Sequence, residues 1–395
     1  MQEKSNCVVI GVSGGIAAYK ALDIISALRK KQIEVNVIMT ESATRFVSPL
    51  SFQSLSQNMV TVDMFEEPKA WEIQHISLAK KADILLVAPA TANIIGKVAN
   101  GIADDMLSTT IMATKAKVVF APAMNTNMYE NPIVQENIAK LKKYGYEFIE
   151  PASGRLACGD EGRGKLADTK YIADKIESML YEPKDLEGKR VLVTAGPTIA
   201  KLDPVRYITN RSTGKMGYAV AEEARDRGAE VILISGPTSL KDPFGIQLIR
   251  VDTNEEMLKA VLSNYEDVDI VIKTAAVADY KPKIYSKEKI KKHDEDLMLE
   301  FLRDNDILKI LGEKKKHQVL VGFAAESHSL LENAEKKLNN KNLDYIVANN
   351  IIHTGFASED NKVSIICKNG DIIDLEPMLK KQVAKNLFDI INKRR

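Results

Sequence analysis

Short apolar, β-branched runs alternate with amphipathic stretches along the first half of the chain. This alternation is typical of βαβ units arranged around a parallel sheet. The apolar runs predict strands, and stretches in which apolar positions recur at the helical period predict helices. The predicted strands are Cys7–Val12, Glu34–Met39, Ile84–Ala88 and Val118–Ala121, and two of the predicted helices are Ala17–Lys31 and Asn131–Tyr144.

The same alternation starts again near residue 190 and continues to the end of the chain. A hairpin is predicted over residues 362–377, because its turn pair Asn369-Gly370 tolerates positive φ. The remaining elements predicted here are the strands Val191–Ala195, Glu230–Ile234, Asp269–Thr274, 319–327 and 343–350, and the helices Met216–Arg227 and Met378–Asn392.

The stretch YEPKDLEGK, which begins at Tyr181, interrupts the periodicity with polar residues, a proline and a glycine. A chain of 395 residues is also too long for one ordinary core. The sequence therefore predicts an α/β protein with two Rossmann-like, parallel-sheet domains, one over residues 1–184 and one over 185–395.

Composition narrows the class of protein. The apolar fraction of 45% and the charged fraction of 28% are those of an ordinary globular protein. A net charge of +1 gives no general reason to expect nucleic acid or an anionic membrane as a partner. No apolar run approaches the ~18 residues that span a bilayer, and no signal peptide is recognised, so a cytoplasmic location is expected. Three widely spaced cysteines argue against a disulfide framework and a zinc site.

A glycine-rich loop lies between the first predicted strand and the first predicted helix, with Gly11, Ser13, Gly14 and Gly15. Such a turn lets backbone N–H groups at a helix N-terminus face an anion. The loop lacks the third glycine of a dinucleotide-binding GxGxxG motif, and no Gly-Lys-Ser/Thr of a Walker A motif follows. A phosphate-binding loop and a simple tight turn of a doubly wound fold are both consistent with these residues.

Two later segments place polar residues directly after predicted strands, at the edge where α/β sheets bind ligands. The first contains Pro89, Thr91 and Asn93, and the second contains Met124 and Asn125.

Between these two segments lies the acidic pair Asp104-Asp105. It is a candidate metal pair, but the more common role of such residues is at a helix N-terminus, and that interpretation is preferred.

Two residues are candidates for proton transfer. His75 stands just ahead of a predicted amphipathic helix, where a histidine is usually structural. Cys158 lies in a glycine-rich segment without hydrophobic periodicity, near Arg155, Arg163 and Lys165. That segment is a candidate lid, in which the cations would favour the thiolate; alternatively, Cys158 is an inert core residue.

The motifs SGGIAAYK, PATANIIGKVANGIADDML, APAMNTNMY and ACGDEGRG, with His75, resemble the FMN-dependent cysteine decarboxylases over nearly all of residues 1–180. The resemblance implies a flavodoxin-like flavoprotein domain in which His75 serves decarboxylation and Asn125 binds the substrate carboxylate. It also implies that Cys158 donates a proton while the reduced flavin returns its hydride. That role needs the thiol rather than the thiolate, and the sequence leaves the protonation state open. The implied FMN contacts are Ser13, Gly14, Gly15, Thr40, Pro89, Thr91, Asn93 and Met124.

The second half has two candidate phosphate-binding features. The motif STGKMG, residues 212–217, begins a predicted helix, but its spacing is not that of a Walker A loop, and an N-cap turn is the alternative. Asp279 at a strand end is followed by six lysines within residues 281–292. A lysine run is most often a solvated surface, but here it follows a strand's carboxyl end, which equally supports a flap that lowers lysine onto a polyphosphate.

The segments DPVRYITNRSTGKMG, AAVADY, KIKK, NDIL and GFAAES resemble phosphopantothenate–cysteine ligases. Such ligases join a carboxylate to CTP as an acyl-cytidylate, release pyrophosphate and then form the amide with cysteine. The resemblance implies that Asn210 stabilises the acyl-cytidylate, that Arg206 contacts substrate and that Lys289 is the flap lysine on the triphosphate. Mg²⁺ would be coordinated mainly by the triphosphate. The implied CTP pocket consists of Lys273, Thr274, Ala275, Asp279, Asn305, Asp306, Ile307, Leu308, Phe323, Lys337 and Lys341.

The chain departs from the ligase pattern at two loops. It has Ile199-Ala200-Lys201 where relatives often have TxEP, and Asn305-Asp306-Ile307 where many have NPDI. Neither departure involves Asn210 or Lys289.

Together the resemblances imply a bifunctional enzyme of coenzyme A biosynthesis. Its substrates would be 4′-phosphopantothenate, cysteine and CTP, and FMN-dependent decarboxylation would give 4′-phosphopantetheine. Family members form trimers through the flavin half and dimers through the ligase half, which implies a homo-oligomer and points to a dodecamer. The alternatives are a flavin-dependent decarboxylase of another cysteine-terminated compound, with a degenerate second half, and a non-enzymatic flavin- or nucleotide-binding regulator.

Overall fold

The computed structural model describes residues 6–65, 73–155, 159, 161–291, 297–326, 330–350 and 360–393. The chain folds as two compact units, residues 1–180 and 181–395. In the described ranges, no helix combines the length and the apolar character needed to cross a bilayer.

The first unit is a six-stranded sheet with helices and a separate two-stranded ribbon. The sheet contains β1 (Cys7–Val12), β2 (Glu34–Met39), β3 (Val60–Thr61), β4 (Ile84–Ala90), β5 (Lys117–Pro122) and β6 (Glu147–Phe148), and the ribbon β7 (Ala152–Arg155) and β8 (Glu161–Lys165). The α-helices are α1 (Ala21–Lys30), α2 (Glu41–Thr44), α3 (Pro49–Ser56), α4 (Gln74–Lys81), α5 (Ala92–Ala99), α6 (Met106–Ala113), α7 (Thr126–Glu130), α8 (Pro132–Lys143) and α9 (Thr169–Leu180).

The sheet of the first unit is parallel, with strand order β3-β2-β1-β4-β5-β6. β1 and β4 are buried along their whole length, as expected of strands covered by helices on both faces. This is the doubly wound order in which β1 and β4 run side by side while their connections leave in opposite directions. Ligands bind such sheets outside the carboxyl ends of these two strands.

The predicted helix Ala17–Lys31 is a 3₁₀ helix, Ile16–Lys20, followed by α1. The apolar stripe that predicted one helix is buried on both sides of the junction: Ala18 in the 3₁₀ helix, and Ala21, Ile24, Ile25 and Leu28 in α1. Because the buried stripe runs through the junction, hydrophobic periodicity alone does not reveal the change of helix type.

Within its described residues, the second unit has an eight-stranded sheet, two short ribbons and five α-helices. The sheet contains β9 (Arg190–Ala195), β12 (Glu230–Ser235), β13 (Gln247–Arg250), β14 (Ile270–Lys273), β17 (Val319–Glu326), β18 (Tyr345–Asn350), β19 (Asp360–Cys367) and β20 (Ile372–Leu379). The ribbons pair β10 (Ile199–Lys201) with β11 (Tyr207–Thr209), and β15 (Tyr280–Pro282) with β16 (Phe301–Arg303). The helices are α10 (Lys215–Asp226), α11 (Asn254–Asn264), α12 (Ile307–Lys314), α13 (Leu330–Asn340) and α14 (Lys380–Lys393).

The large sheet runs β13-β12-β9-β14-β17-β18-β19-β20, and its first six strands are parallel. Counted along the chain, those six have the same 3-2-1-4-5-6 order as the first unit, so β9 and β14 flank the ligand-binding crevice. The predicted hairpin is the antiparallel pair β19–β20. The last helix begins at Lys380 rather than Met378, because Met378 and Leu379 still pair with β19. The predicted fold class, two α/β units with parallel sheets, is confirmed.

Candidate active sites

A cavity of about 1130 Å³ lies at the carboxyl edge of the first sheet. Its walls come from the loops that follow β1, β2, β4 and β5, and from β8. The sequence-predicted residues that line it are Ser13, Gly14, Gly15, Thr40, Thr91, Asn93, Met124 and Asn125. Residues from four separate loops therefore meet in one site.

Ser13 joins two of these loops. Its buried hydroxyl donates to the Pro89 carbonyl at 2.7 Å and accepts from the Thr91 N–H at 3.1 Å. Pro89 itself does not line the cavity, and its carbonyl holds Ser13 instead. Both strands at the crevice thus present their loops as one connected rim.

Gly14 is required by a close approach. A Cβ at this position would lie 2.4 Å from Ser42 Cβ and 2.9 Å from the Ser42 backbone carbon. Any side chain would push the loop after β1 away from α2, so the shape of this wall depends on glycine.

Asn125 caps α7, and its side-chain oxygen accepts the Asn127 N–H at 2.8 Å. The neighbouring Met124 N–H donates to the carbonyl of Gly164 in β8 at 2.9 Å. The β7–β8 ribbon is therefore attached to the loop that carries Asn125. Cys158, the predicted proton donor, lies outside the described residues.

His75 is the second residue of α4 and half-buried, rather than just ahead of the helix as predicted. It does not line the cavity of its own chain.

Asp105 is the N-cap of α6 and forms a capping box with Ser108, while Lys97 pairs with Asp104 and Asp105 at 2.7 and 3.1 Å. The preferred helix-terminal role of this acidic pair is thus confirmed. No group of three potential metal ligands occurs in the described part of the chain.

A second cavity, of about 390 Å³, lies at the carboxyl edge of the second sheet. The predicted nucleotide residues that line it are Lys273, Thr274, Ala275, Asp279, Asn305, Asp306, Leu308, Phe323, Lys337 and Lys341, and Asn210 lines it as well. Three residues predicted for this site do not line the cavity. Ile307 is the fully buried first residue of α12, Lys289 is exposed, and Arg206, the predicted substrate contact, donates to the Ile290 carbonyl instead.

Lysine and aspartate side chains both line this cavity. Lys341 pairs with Asp306 at 2.8 Å, and Asp306 in turn caps α12 by accepting the Lys309 N–H. Burial, reinforced by the charge of Lys341, lowers the pKa of Lys273 to about 8. The cavity therefore holds several cations, one of which changes charge near neutral pH.

The STGKMG motif forms one wall and packs directly on the sheet. Gly214, at φ +78°, precedes α10, and a Cβ on Gly217 would lie 2.4 Å from Thr274 Oγ1 and 2.5 Å from Ala195 Cβ. The start of α10 thus touches the ends of both crevice strands, which only glycine at position 217 allows.

The Asn210 side chain is fixed by the loop after β14. Its Nδ2 donates to the carbonyls of Ala276 at 3.1 Å and Val277 at 2.9 Å. Asn210 follows β11, so these two bonds attach the β10–β11 hairpin to the cavity wall. The divergent residues Ile199-Ala200-Lys201 form β10 itself.

Further lining residues were missed from the sequence, and three polar or charged ones come from the far end of the sheet. Asn349, Asn361 and Lys380 come from β18, β19 and the start of α14. They carry no motif of their own, and only the antiparallel pairing of β18 with β19 and of β19 with β20 brings them to the cavity. The available signal for Asn349 was an Asn at the carboxyl end of the predicted strand 343–350.

Comparisons with known proteins define the class. Residues 1–181 match the family model described as Flavoprotein, and residues 186–394 match the DNA/pantothenate metabolism flavoprotein C-terminal domain. The chain is thus a flavoprotein with a second domain characteristic of pantothenate metabolism.

Curated relatives match this chain over nearly its full length. The "Coenzyme A biosynthesis bifunctional protein CoaBC" of Bacillus subtilis is 52% identical over 389 residues, covering 97% of this chain and 95% of the relative. The protein of the same name from Borreliella burgdorferi is 43% identical, covering 98% of this chain and 100% of the relative. The crystal structure of a CoaBC C-terminal domain is 46% identical, with a TM-score of 0.47, and covers 54% of this chain and 98% of that one. This chain belongs to the family of bifunctional coenzyme A biosynthesis proteins, which confirms the predicted resemblance and class of enzyme.

Proposed function

We propose that the chain ligates 4′-phosphopantothenate with cysteine at the cavity of the second unit, using CTP, and decarboxylates the product at the cavity of the first. The observation that carries this proposal is the presence of two separate cavities at equivalent crevices. The first is lined by Asn125 and the predicted FMN residues other than Pro89, and the second by Asn210 and the predicted nucleotide residues other than Ile307. We place the boundary between the two functional domains at residues 184 and 185.

The ligation needs activation because a carboxylate has no good leaving group. Transfer to the α-phosphate of CTP supplies CMP as the leaving group and releases pyrophosphate. The lysines of the second cavity, Lys273, Lys337 and Lys341, offer the charge that a triphosphate needs. Asn210, held against two carbonyls, presents a rigid amide beside the acyl-cytidylate.

Magnesium is proposed to arrive on the triphosphate. Mg²⁺ keeps several waters and is commonly bound by substrate phosphates together with one or two carboxylates. Asp279, Asp304 and Asp306 line the cavity and could complete such a shell.

The first cavity fits FMN. Its volume is adequate for a cofactor. Because Gly14 and Gly15 have no side chains, a ligand can approach the backbone of the loop next to the side chains of Ser13 and Thr91. Bound FMN would supply two-electron redox chemistry, by which the substrate thiol can be oxidised reversibly so that loss of CO₂ becomes feasible. The chain's own residues bind and orient: Ser13–Gly15 face the phosphate, and Asn125 binds the departing carboxylate.

His75 and Cys158 are proposed to handle protons in this reaction. His75 lies outside the cavity of its own chain, so we propose that a neighbouring copy supplies it. A homo-oligomer with trimeric flavin units would provide such a neighbour, and dimeric ligase units would extend it to a dodecamer. A cytoplasmic location is part of the same proposal.

Replacing Cys158 by Ser is expected to leave flavin binding and CO₂ release intact and to stop the return of the hydride. The serine hydroxyl is a far weaker acid than a thiol, so it does not protonate the enethiolate at a useful rate. The flavin spectrum and mass spectrometry of the product would show one turnover to the oxidised enethiol. Normal 4′-phosphopantetheine formation by this variant would remove Cys158 from its role, and Cys367→Ser, at a buried site of the other unit, is the matched control.

CTP affinity is expected to fall with rising pH. In the free protein Lys273, with a pKa of about 8, is charged at pH 7 and mostly neutral at pH 9. A bound triphosphate favours the charged form, so above pH 8 binding has to take up a proton, and we expect Kd for CTP to rise about tenfold from pH 7 to pH 9. Calorimetry in the presence of Mg²⁺ measures this change.

The Lys273→Met variant provides the comparison. It keeps the length and apolar packing of the side chain and removes the titrating group, so its CTP affinity should be weaker at pH 7 and nearly flat up to pH 9. An equal slope in both proteins would contradict the assignment of this titration to Lys273.

A further inference from the structure

The lysine segment, defined here as residues 281–291, is attached to the turn of the β10–β11 hairpin, residues 202–206. The Ser286 N–H donates to the Leu202 carbonyl at 3.0 Å. A second and denser set of bonds is made at Ile290, the residue next to Lys289. The segment therefore does not stand free of the ligase unit, and its end near Lys289 has a defined support.

Asp203 is the centre of that support, with its carboxylate buried. One oxygen, Oδ1, accepts the N–H groups of Val205 and Arg206, both at 2.7 Å. The other oxygen, Oδ2, accepts the Ile290 N–H at 3.1 Å and lies 3.6 Å from Arg206 Nη1. Burial would raise the pKa of Asp203, but these backbone donors and Arg206 together hold it below its usual value, so the carboxylate is ionised.

Arg206 completes the arrangement, because its Nη2 donates to the Ile290 carbonyl at 3.0 Å. Both backbone groups of Ile290 are thus held by side chains of the hairpin turn. The Cα atoms of adjacent residues are about 3.8 Å apart across a trans peptide, so holding the backbone of Ile290 also restricts the position of the Lys289 Cα atom.

The same hairpin leads directly to Asn210 on its other side. β11 ends at Thr209, and Asn210 is bonded to the carbonyls of Ala276 and Val277 in the cavity wall. One hairpin therefore connects Asn210 in the cavity wall with the base of the lysine segment.

We propose that Asp203 is a positioning residue for the ligation: by holding Ile290 it sets the place of Lys289 relative to Asn210 and the bound triphosphate. This inference rests on the proposed CTP-dependent function. Asp203 is not proposed to contact substrate. It acts on Lys289 through the backbone of Ile290.

The variant Asp203→Asn tests this role selectively. The amide keeps one oxygen, which can retain the two bonds to Val205 and Arg206 that shape the turn. Its NH₂ group then faces the Ile290 N–H and the Arg206 guanidinium, so donors meet donors and the tie to Ile290 is lost. The substitution thus separates support of the lysine segment from the shape of the turn.

We expect kcat/KM for CTP to fall about 10- to 100-fold, the range for loss of one charge-assisted hydrogen bond, mainly through KM. KM for cysteine and decarboxylation of added 4′-phosphopantothenoylcysteine should stay within about twofold of wild type. Lys289→Met should cost much less in the Asp203→Asn background than in wild type, because both changes remove the same contact. The exposed carboxylate of Asp267 gives the matched control, Asp267→Asn, which should behave as wild type.

Limited trypsin digestion of the ligand-free protein tests the physical part independently of activity. We expect cleavage after Lys287, Lys289 or Lys291 to be about tenfold faster in Asp203→Asn than in wild type and in Asp267→Asn. Unchanged cleavage with unchanged KM for CTP would overturn the proposal. So would a general loss of melting temperature and of both activities, which would make Asp203 a purely structural residue. A wild-type protein without CTP-dependent activity would instead overturn the proposed function, and the digestion would still decide whether Asp203 holds the segment.

Discussion

Asn210→Asp is expected to reduce CTP-dependent amide formation by at least 100-fold while leaving decarboxylation of added 4′-phosphopantothenoylcysteine unchanged. The Asn210 Nδ2 donates to two carbonyls, and an aspartate has no donor for either. Its charge would be repelled by those carbonyls and by the triphosphate and acyl-phosphate oxygens in the same cavity. A loss of this size corresponds to about 2.7 kcal/mol or more of transition-state stabilisation.

Pyrophosphate release and CO₂ release, measured on the same preparation, separate the two activities. Asn264→Asp makes the same chemical change at the end of α11, where the amide only bonds the Ala260 carbonyl, and should leave both rates near wild type. Loss of both activities in Asn210→Asp would mean that the two sites do not act independently. Unchanged ligation would remove Asn210 from the catalytic account.

Replacing Arg227 by Met is expected to destabilise the second unit by about 3–5 kcal/mol. The Arg227 guanidinium is fully buried and bonds Glu223 Oε1 at 2.8 Å and Asp185 Oδ2 at 3.1 Å. Glu223 is also buried, so removing the arginine leaves a carboxylate in the protein interior without a cation. Asp185 belongs to the segment that opens this unit, so the same substitution should loosen its attachment.

Urea unfolding followed by circular dichroism measures this loss. Arg227→Met combined with Glu223→Gln should recover part of it, because the uncompensated buried charge is then absent. Arg45→Met removes the exposed pair of Arg45 with Glu41 and should change the free energy of unfolding by less than about 0.5 kcal/mol. A similarly small change for Arg227→Met would show that the buried cluster does not stabilise the unit.

Strand positions could be predicted from the sequence because the buried strands of both sheets are short, continuous apolar runs. β1 and β2 have the predicted bounds, whereas β4 and β5 extend beyond theirs into Pro89–Ala90 and Pro122. The types of helix and the residues at which they begin were harder to predict, since the change from 3₁₀ to α-helix at Ala21 falls within one continuous buried stripe.

The candidate sites were predictable where function leaves a local motif. Ser13–Gly15 directly follow β1, and Lys273–Ala275 begin with the last residue of β14, so topology alone places each group at its crevice. Lys380 was not predictable, because it begins the last helix and reaches the cavity only through the antiparallel end of the sheet. The support given to Lys289 by Asp203 was equally hidden, since the two residues are 86 positions apart in the sequence.

The order of the two reactions gives the central claim its most direct test. Purified protein loaded with FMN is supplied with 4′-phosphopantothenate, cysteine and Mg²⁺, with and without CTP, and pyrophosphate and CO₂ are measured together. We predict equal amounts of both products with CTP and neither without it, with pyrophosphate appearing first. CO₂ release from this mixture without CTP, or pyrophosphate release that is not followed by CO₂, would contradict the account.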